Sequence, residues 1–141
     1  MGTTAPSALV LLIDDSQAML DLMHDLLVEA GYQVSVSLET LDLDRLKALR
    51  PDVIVQELVF AGTQEIGWEF LTLSQLDPEL SRVLLILCTA AVDLVQDPGM
   101  AQNLDHLGIR VVLKPFNEAT LLTAIAETLT AQTLITQALD V

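Results

Sequence analysis

Apolar and polar positions recur along this chain in five blocks, each an apolar run followed by a segment with helical spacing. Residues 8–13 (Ala-Leu-Val-Leu-Leu-Ile) are continuously apolar, the pattern of a strand buried on both faces of a helix-covered parallel sheet. Ser16 is placed to cap a helix, along which Leu20, Met23, Leu26, Leu27 and Ala30 fall at helical spacing before Gly31 stops it. Residues 32–37 alternate apolar and polar, as expected of a strand at a sheet edge. A second helix is predicted over about residues 40–50, with Leu43, Leu46 and Leu49 as its buried stripe and Pro51 closing it.

The third strand, Val53 to Val55, delivers Gln56 and Glu57 at its C-terminal end. Residues 61–67 read as a loop, and Trp68, Phe70, Leu71 and Leu76 as a third helix ended by Asp77 and Pro78. Residues 83–88 are a fourth, fully apolar strand ending at Thr89 and Ala90. Pro98-Gly99 breaks any helix running on from there, so residues 91–97 are expected as a loop or frayed turn before a short helix carrying Met100, Leu104 and Leu107. Residues 109–113 form the fifth strand, followed by Lys114, Pro115 and Phe116. Asn117 caps a last helix bearing Leu121, Leu122, Ile125, Ala126 and Leu129, whose pattern continues weakly through Leu134, Ile135 and Leu139. Strict βα alternation predicts an α/β fold, a doubly wound parallel sheet. Residues 1–7 are expected as an N-terminal tail, 8–130 as the domain and 131–141 as a C-terminal helical extension or tail.

Composition narrows the function classes. The formal charge is −14, from 20 Asp and Glu against 6 Lys and Arg. Such a chain is repelled by phosphate backbones and anionic lipids, which excludes direct nucleic-acid binding. Hydrophobic residues make up 52% and charged ones 18%, a balance that suits a sheet buried on both faces and leaves room for an apolar contact surface. The single cysteine, Cys88, lies in an apolar strand and reads as a buried, reduced thiol of a cytoplasmic protein. Residues 1–7 carry no basic side chain, and the apolar run after them is short and ends in aspartates. Neither a signal peptide nor a membrane span is expected.

The chemistry gathers at the strand ends. Asp14 and Asp15 follow the first strand, Glu57 the third, Thr89 the fourth and Lys114 the fifth. In open α/β sheets, ligands bind outside the carboxyl ends of the strands. Carboxylate oxygens suit Mg²⁺, and a lysine with a hydroxyl suits phosphoryl oxygens. Taken singly, each group has a plainer explanation: Ser16 or Asp15 as a cap, Thr89 bonding its own backbone, Lys114 as a solvated charge. His24 and His106 fall on predicted helices away from the strand ends, as surface residues.

With these residues the chain resembles the receiver domain of two-component response regulators. The matching pieces are Leu11-Leu-Ile-Asp-Asp15, Pro51-Asp-Val-Ile-Val55, Gly67-Trp-Glu-Phe-Leu71, Leu87-Cys-Thr-Ala90 and Val112-Leu-Lys-Pro-Phe116. The resemblance implies a flavodoxin-like (βα)5 sheet of order 2-1-3-4-5. It implies that Asp14, Asp15, the residue at Glu57 and the backbone carbonyl of Val59 hold Mg²⁺. It further implies that position 57 takes a phosphoryl group from a sensor histidine kinase, and that Thr89 and Lys114 contact that group. A switch aromatic belongs at position 111. The implied contact face, toward a kinase, a downstream signalling protein or a second copy in a homodimer, is the fourth helix, fifth strand and fifth helix.

The departures from that pattern are specific. Position 57 is glutamate rather than aspartate, and position 111 is valine, with no ring to turn. The loop after Glu57 is about two residues longer than usual for such a connection. One extra methylene displaces a carboxylate by roughly 1.5 Å, whereas catalytic groups must be held within about 0.5 Å. The longer arm can instead reach Lys114 as a standing ion pair. The leading expectation is therefore an atypical receiver, an interaction module rather than an enzyme, with Glu57 holding one signalling state. The alternative is a working, Mg²⁺-dependent phosphoacceptor modified on Glu57 or a neighbouring carboxylate. A phosphatase using an aspartate after the first strand also stays open on this fold. A flavin binder is disfavoured, because Asp14 and Asp15 stand where its phosphate would lie.

Overall fold

The computed structural model describes the backbone of residues 7–139 and the side chains of residues 7–131. The elements run β1 (Leu9–Ile13), α1 (Gln17–Glu29), β2 (Gln33–Ser37), α2 (Leu43–Leu49), β3 (Val53–Gln56), α3 (Glu65–Leu76), β4 (Leu84–Thr89), α4 (Val92–Gln96), α5 (Pro98–His106), β5 (Arg110–Leu113) and α6 (Glu118–Leu139). The strands form one all-parallel sheet in the order β2-β1-β3-β4-β5, the expected flavodoxin-like topology. The chain reverses its direction of winding between β1 and β3, so the crevice expected of such sheets opens at their C-terminal ends.

Alternation along the strands divides the core in two. Val10 and Leu12, with Val53, Val55, Ile86, Cys88 and Val112, face α1 and α6 through Leu20, Met23, Leu27, Leu121 and Ile125. Leu11 and Ile13, with Ile54, Leu85 and Leu87, face Leu46 of α2, Phe70 and Leu71 of α3, Val95 of α4 and Leu104 of α5. Strands buried on both sides read as unbroken apolar runs for this reason. The edge strand β2 has no buried residue, and its alternating sequence is not matched by its burial: Ser35 is half-buried and Val36 is 46% exposed.

Helix ends follow local chemistry. Ser16 accepts from the Met19 N–H at 3.2 Å, Asp42 from that of Arg45 at 2.8 Å, and Asn117 from that of Thr120 at 2.8 Å. Residues 91–97, expected as a loop, wind instead into the short helix α4. Asp97 then leaves helical geometry and accepts from the Met100 N–H at 3.2 Å, with Pro98 in the first turn of α5. Proline needs no donor at a helix start, so Pro98 begins one helix as well as ending another. Leu49 differs from expectation, at 38% exposed, whereas Leu76 ends α3 as expected and is 79% exposed. Leu49 ends a two-turn helix whose buried contact is Leu46. Leu76 lies two residues past buried Ser74, about 200° around α3 and thus on its outer side.

Cys88 is 1% exposed, and its thiol is pushed up to about 12, chiefly by burial. The native protein should leave this thiol unmodified by a chromogenic disulfide reagent at pH 8 and release it only in denaturant. Rapid labelling of the folded protein would contradict the packing. Because the native thiol keeps its proton where the unfolded thiol loses it, its contribution to stability falls as pH rises from about 9 toward 12.

Candidate functional site

Three charged side chains meet at the C-terminal edge of the sheet, each hung one residue beyond a strand. The Asp14 N–H donates to the Ser37 carbonyl at 3.1 Å, the Glu57 N–H to Ile13 at 2.9 Å and the Lys114 N–H to Thr89 at 2.9 Å. These bonds extend the ladder past the strand ends and fix where the side chains begin. Lys114 then spans the gap, its Nζ donating to Asp14 Oδ2 at 2.6 Å and to Glu57 Oε1 at 3.0 Å. The Lys114–Pro115 peptide bond is cis.

Every carboxylate oxygen in this triad is engaged. Asp14 Oδ1 accepts from the Ser16 N–H at 2.9 Å. Glu57 Oε2 accepts from the N–H groups of Leu58 at 2.6 Å and Val59 at 3.2 Å. Asp14 is 1% and Glu57 8% exposed, and an unpartnered carboxylate at such depth would cost several kcal/mol. The ammonium and the three amides supply the compensation. Burial acts most strongly on Lys114 and would lower its pKa, but the hydrogen bonds to Asp14 and Glu57 together outweigh it and hold the value above that of free lysine.

Of the residues predicted for the site, Asp14, Glu57 and Lys114 come together, and two others point elsewhere. Asp15 is exposed and accepts, through Oδ2, from the Ala61 N–H at 3.4 Å. The ion pairs of Lys114 are to Asp14 and Glu57, not to Asp15. Thr89 is buried, but its hydroxyl oxygen accepts from the Ala91 N–H at 3.1 Å, within its own turn. Val59 meets Glu57 through its amide N–H. Val111 is half-buried against the core beneath α2–α5.

This donor set does not fit a resident divalent cation as arranged. Mg²⁺ requires open carboxylate oxygens at near-octahedral positions. Here the ammonium stands between Asp14 Oδ2 and Glu57 Oε1, and amides take the remaining oxygens of both. Among the described residues no group of three His, Cys, Asp or Glu side chains is spaced to hold a metal ion.

The sequence pattern does not expose what anchors the strand carrying Glu57. Gln56 is fully buried and donates through Nε2 to the Gly67 carbonyl at 3.0 Å, tying β3 to the first turn of α3. Gly67 itself packs against the Leu58 backbone so closely that a Cβ would sit 2.2 Å from the Leu58 carbonyl oxygen. A glycine where loop gives way to helix is the one signal available, and in sequence it resembles an ordinary loop residue.

No protein-family model matches the sequence, and no curated protein matches it. Solved structures do match. The chemotaxis protein CheY4 of Vibrio cholerae is 24% identical with a TM-score of 0.73, over 86% of this chain and 98% of that one. The signal receiver domain of an HD domain-containing protein from Pseudomonas fluorescens Pf-5 is 21% identical with a TM-score of 0.76, over 97% of each chain. The signal receiver domain of a signal transduction histidine kinase from Syntrophus aciditrophicus is 21% identical with a TM-score of 0.72, over 89% and 92%. At these identities the likeness establishes the shared fold. Among the described residues no helix is long and apolar enough to cross a membrane.

Proposed function

We propose that this chain is a response-regulator receiver domain of a two-component pathway that works as a protein-interaction module, with Glu57 in the phosphoacceptor's place holding one state without phosphorylation. One observation carries the reading. The Glu57 carboxylate is bound from both sides, by the Lys114 ammonium at 3.0 Å and by two backbone amides. A lysine already paired with a carboxylate has the partner that a phosphoryl group would otherwise provide. The fold shared with receiver domains and the strand-end positions of Asp14, Glu57 and Lys114 support the assignment. Val111, without a ring to rotate, fits a module that does not relay phosphorylation along β5. A kinase, a downstream signalling protein or a second copy would be met through α5, β5 and α6, in the cytoplasm.

Incubation with acetyl phosphate and Mg²⁺, followed by intact mass measurement, tests this directly. The natural sequence is expected to gain no phosphoryl adduct and its melting temperature to stay unchanged at millimolar Mg²⁺. Glu57→Asp, treated in parallel, withdraws the carboxylate from Lys114 and serves as the comparison. A stable adduct on Glu57 would establish the working-acceptor alternative instead.

A further inference from the structure

Next to the triad lies a groove of about 490 Å³ that the proposed signalling chemistry does not use. Its apolar walls are Leu38, from the connection after β2, and Phe60, Ala61 and Ile66, from the connection after β3 and the first turn of α3. Its polar rim includes Asp15 and Glu39, and none of the chain's six Lys and Arg residues lines it. The wall is built rather than slack. Phe60 and Thr63 exchange both backbone hydrogen bonds, at 2.9 and 3.0 Å, around Ala61 and Gly62, both at positive φ. Positive φ at both central residues marks the tight primed hairpin turn. Asp15 pins this turn through the Ala61 N–H, and Glu57 orders its approach through the Leu58 and Val59 amides. The connection after Glu57 thus forms one wall of the groove.

The apolar surface continues beyond the groove. Ile66, Leu73 and Leu76 lie on the outer side of α3 at 44%, 45% and 79% exposure. Spacings of seven and three residues place them in one row about 15 Å long. The exposed charges on α3 are Glu65 and Glu69, and the helix has no basic residue. Apolar surface rimmed by charge of one sign marks a contact site and defines its partner's sign.

We infer that the groove and the α3 row together receive a protein segment whose leucine-like side chains are flanked by Arg or Lys. The apolar side chains enter between Leu38 and Ile66 and along Leu73, while the cations meet Asp15, Glu39 and Glu69. A second copy of this chain is the wrong partner, because it brings the same carboxylates to the contact. This inference rests on the reading of the chain as an interaction module and assigns Asp15 to partner recognition.

The test uses a fluorescent helical peptide of about 15 residues, long enough for helix formation, with Leu and Arg on opposite faces. Two companions replace its Leu by Ser or its Arg by Glu. The Leu/Arg peptide is expected to bind, with amide shifts in the ¹⁵N spectrum at Leu38, Ala61 and Ile66. Binding should weaken about tenfold or more in Ile66→Ser/Leu73→Ser and in Asp15→Asn/Glu39→Gln. It should persist in Asp105→Asn/Glu118→Gln, which removes equal charge elsewhere. Equal binding of the Ser/Arg peptide, indifference to the groove variants, shifts confined to the α5–β5–α6 face, or no binding would each overturn the inference. Mapping shifts on the natural sequence keeps the test intact if a variant misfolds. A failed peptide experiment beside an absent phosphoryl adduct removes the groove proposal alone.

Discussion

Lys114→Met is expected to lower folding stability by about 3 kcal/mol at neutral pH, the cost of leaving buried carboxylates without their cation. Asp14 and Glu57 are 1% and 8% exposed and share this one ammonium. The loss is a large part of the stability of an ordinary domain, about 5–15 kcal/mol. Adding Glu57→Gln to the same background should recover part of the stability. In the natural sequence the hydrogen bonds to Asp14 and Glu57 hold the Lys114 pKa above that of free lysine. The contribution of the pair is complete below the ordinary lysine value and is lost as pH rises through the native one. Denaturant titrations of the variants at several pH values check all of this. A small deficit would mean that the triad is not buried as described.

Gly67→Ala should cost about 3 kcal/mol, at the upper end of what overpacking does. On propensity alone, alanine in a helix would gain about 1 kcal/mol over glycine. The steric term prevails because the new Cβ would stand 2.2 Å from the Leu58 carbonyl oxygen and 2.9 Å from its carbon, backbone atoms that cannot rotate aside. Moving α3 outward to relieve the clash would stretch the bond from Gln56 to the Gly67 carbonyl. Gly99 supplies the contrast. A Cβ there would meet Asp97 Oδ2 at 3.4 Å, an ordinary contact, so Gly99→Ala in α5 should leave stability equal or slightly higher. Chemical denaturation of the two variants checks the difference, and equal effects would contradict the close approach of α3 to β3.

The strands were legible because both faces of the sheet are covered, which leaves apolar runs that end abruptly at charged residues. Asp14, Glu57 and Lys114 could be found for the same reason, since each follows its strand directly. Side-chain direction beyond a strand end was not legible. Asp15 adjoins Asp14 in sequence yet turns to the Ala61 amide, and the Thr89 hydroxyl serves its own turn. Leu49 fits a helical count but ends a two-turn helix whose buried residue is Leu46, and it is 38% exposed. The role of Gly67 depends on a carbonyl nine residues earlier, at Leu58, which no local pattern encodes.

The standing pair between Glu57 and Lys114 is tested most directly by a crystal structure grown with Mg²⁺ and beryllofluoride, a phosphoryl mimic. The expected result is Lys114 Nζ still within hydrogen-bond distance of both Asp14 and Glu57, with no beryllofluoride on Glu57. Beryllofluoride bonded to the Glu57 carboxylate, with a cation between it and Asp14, would contradict the claim.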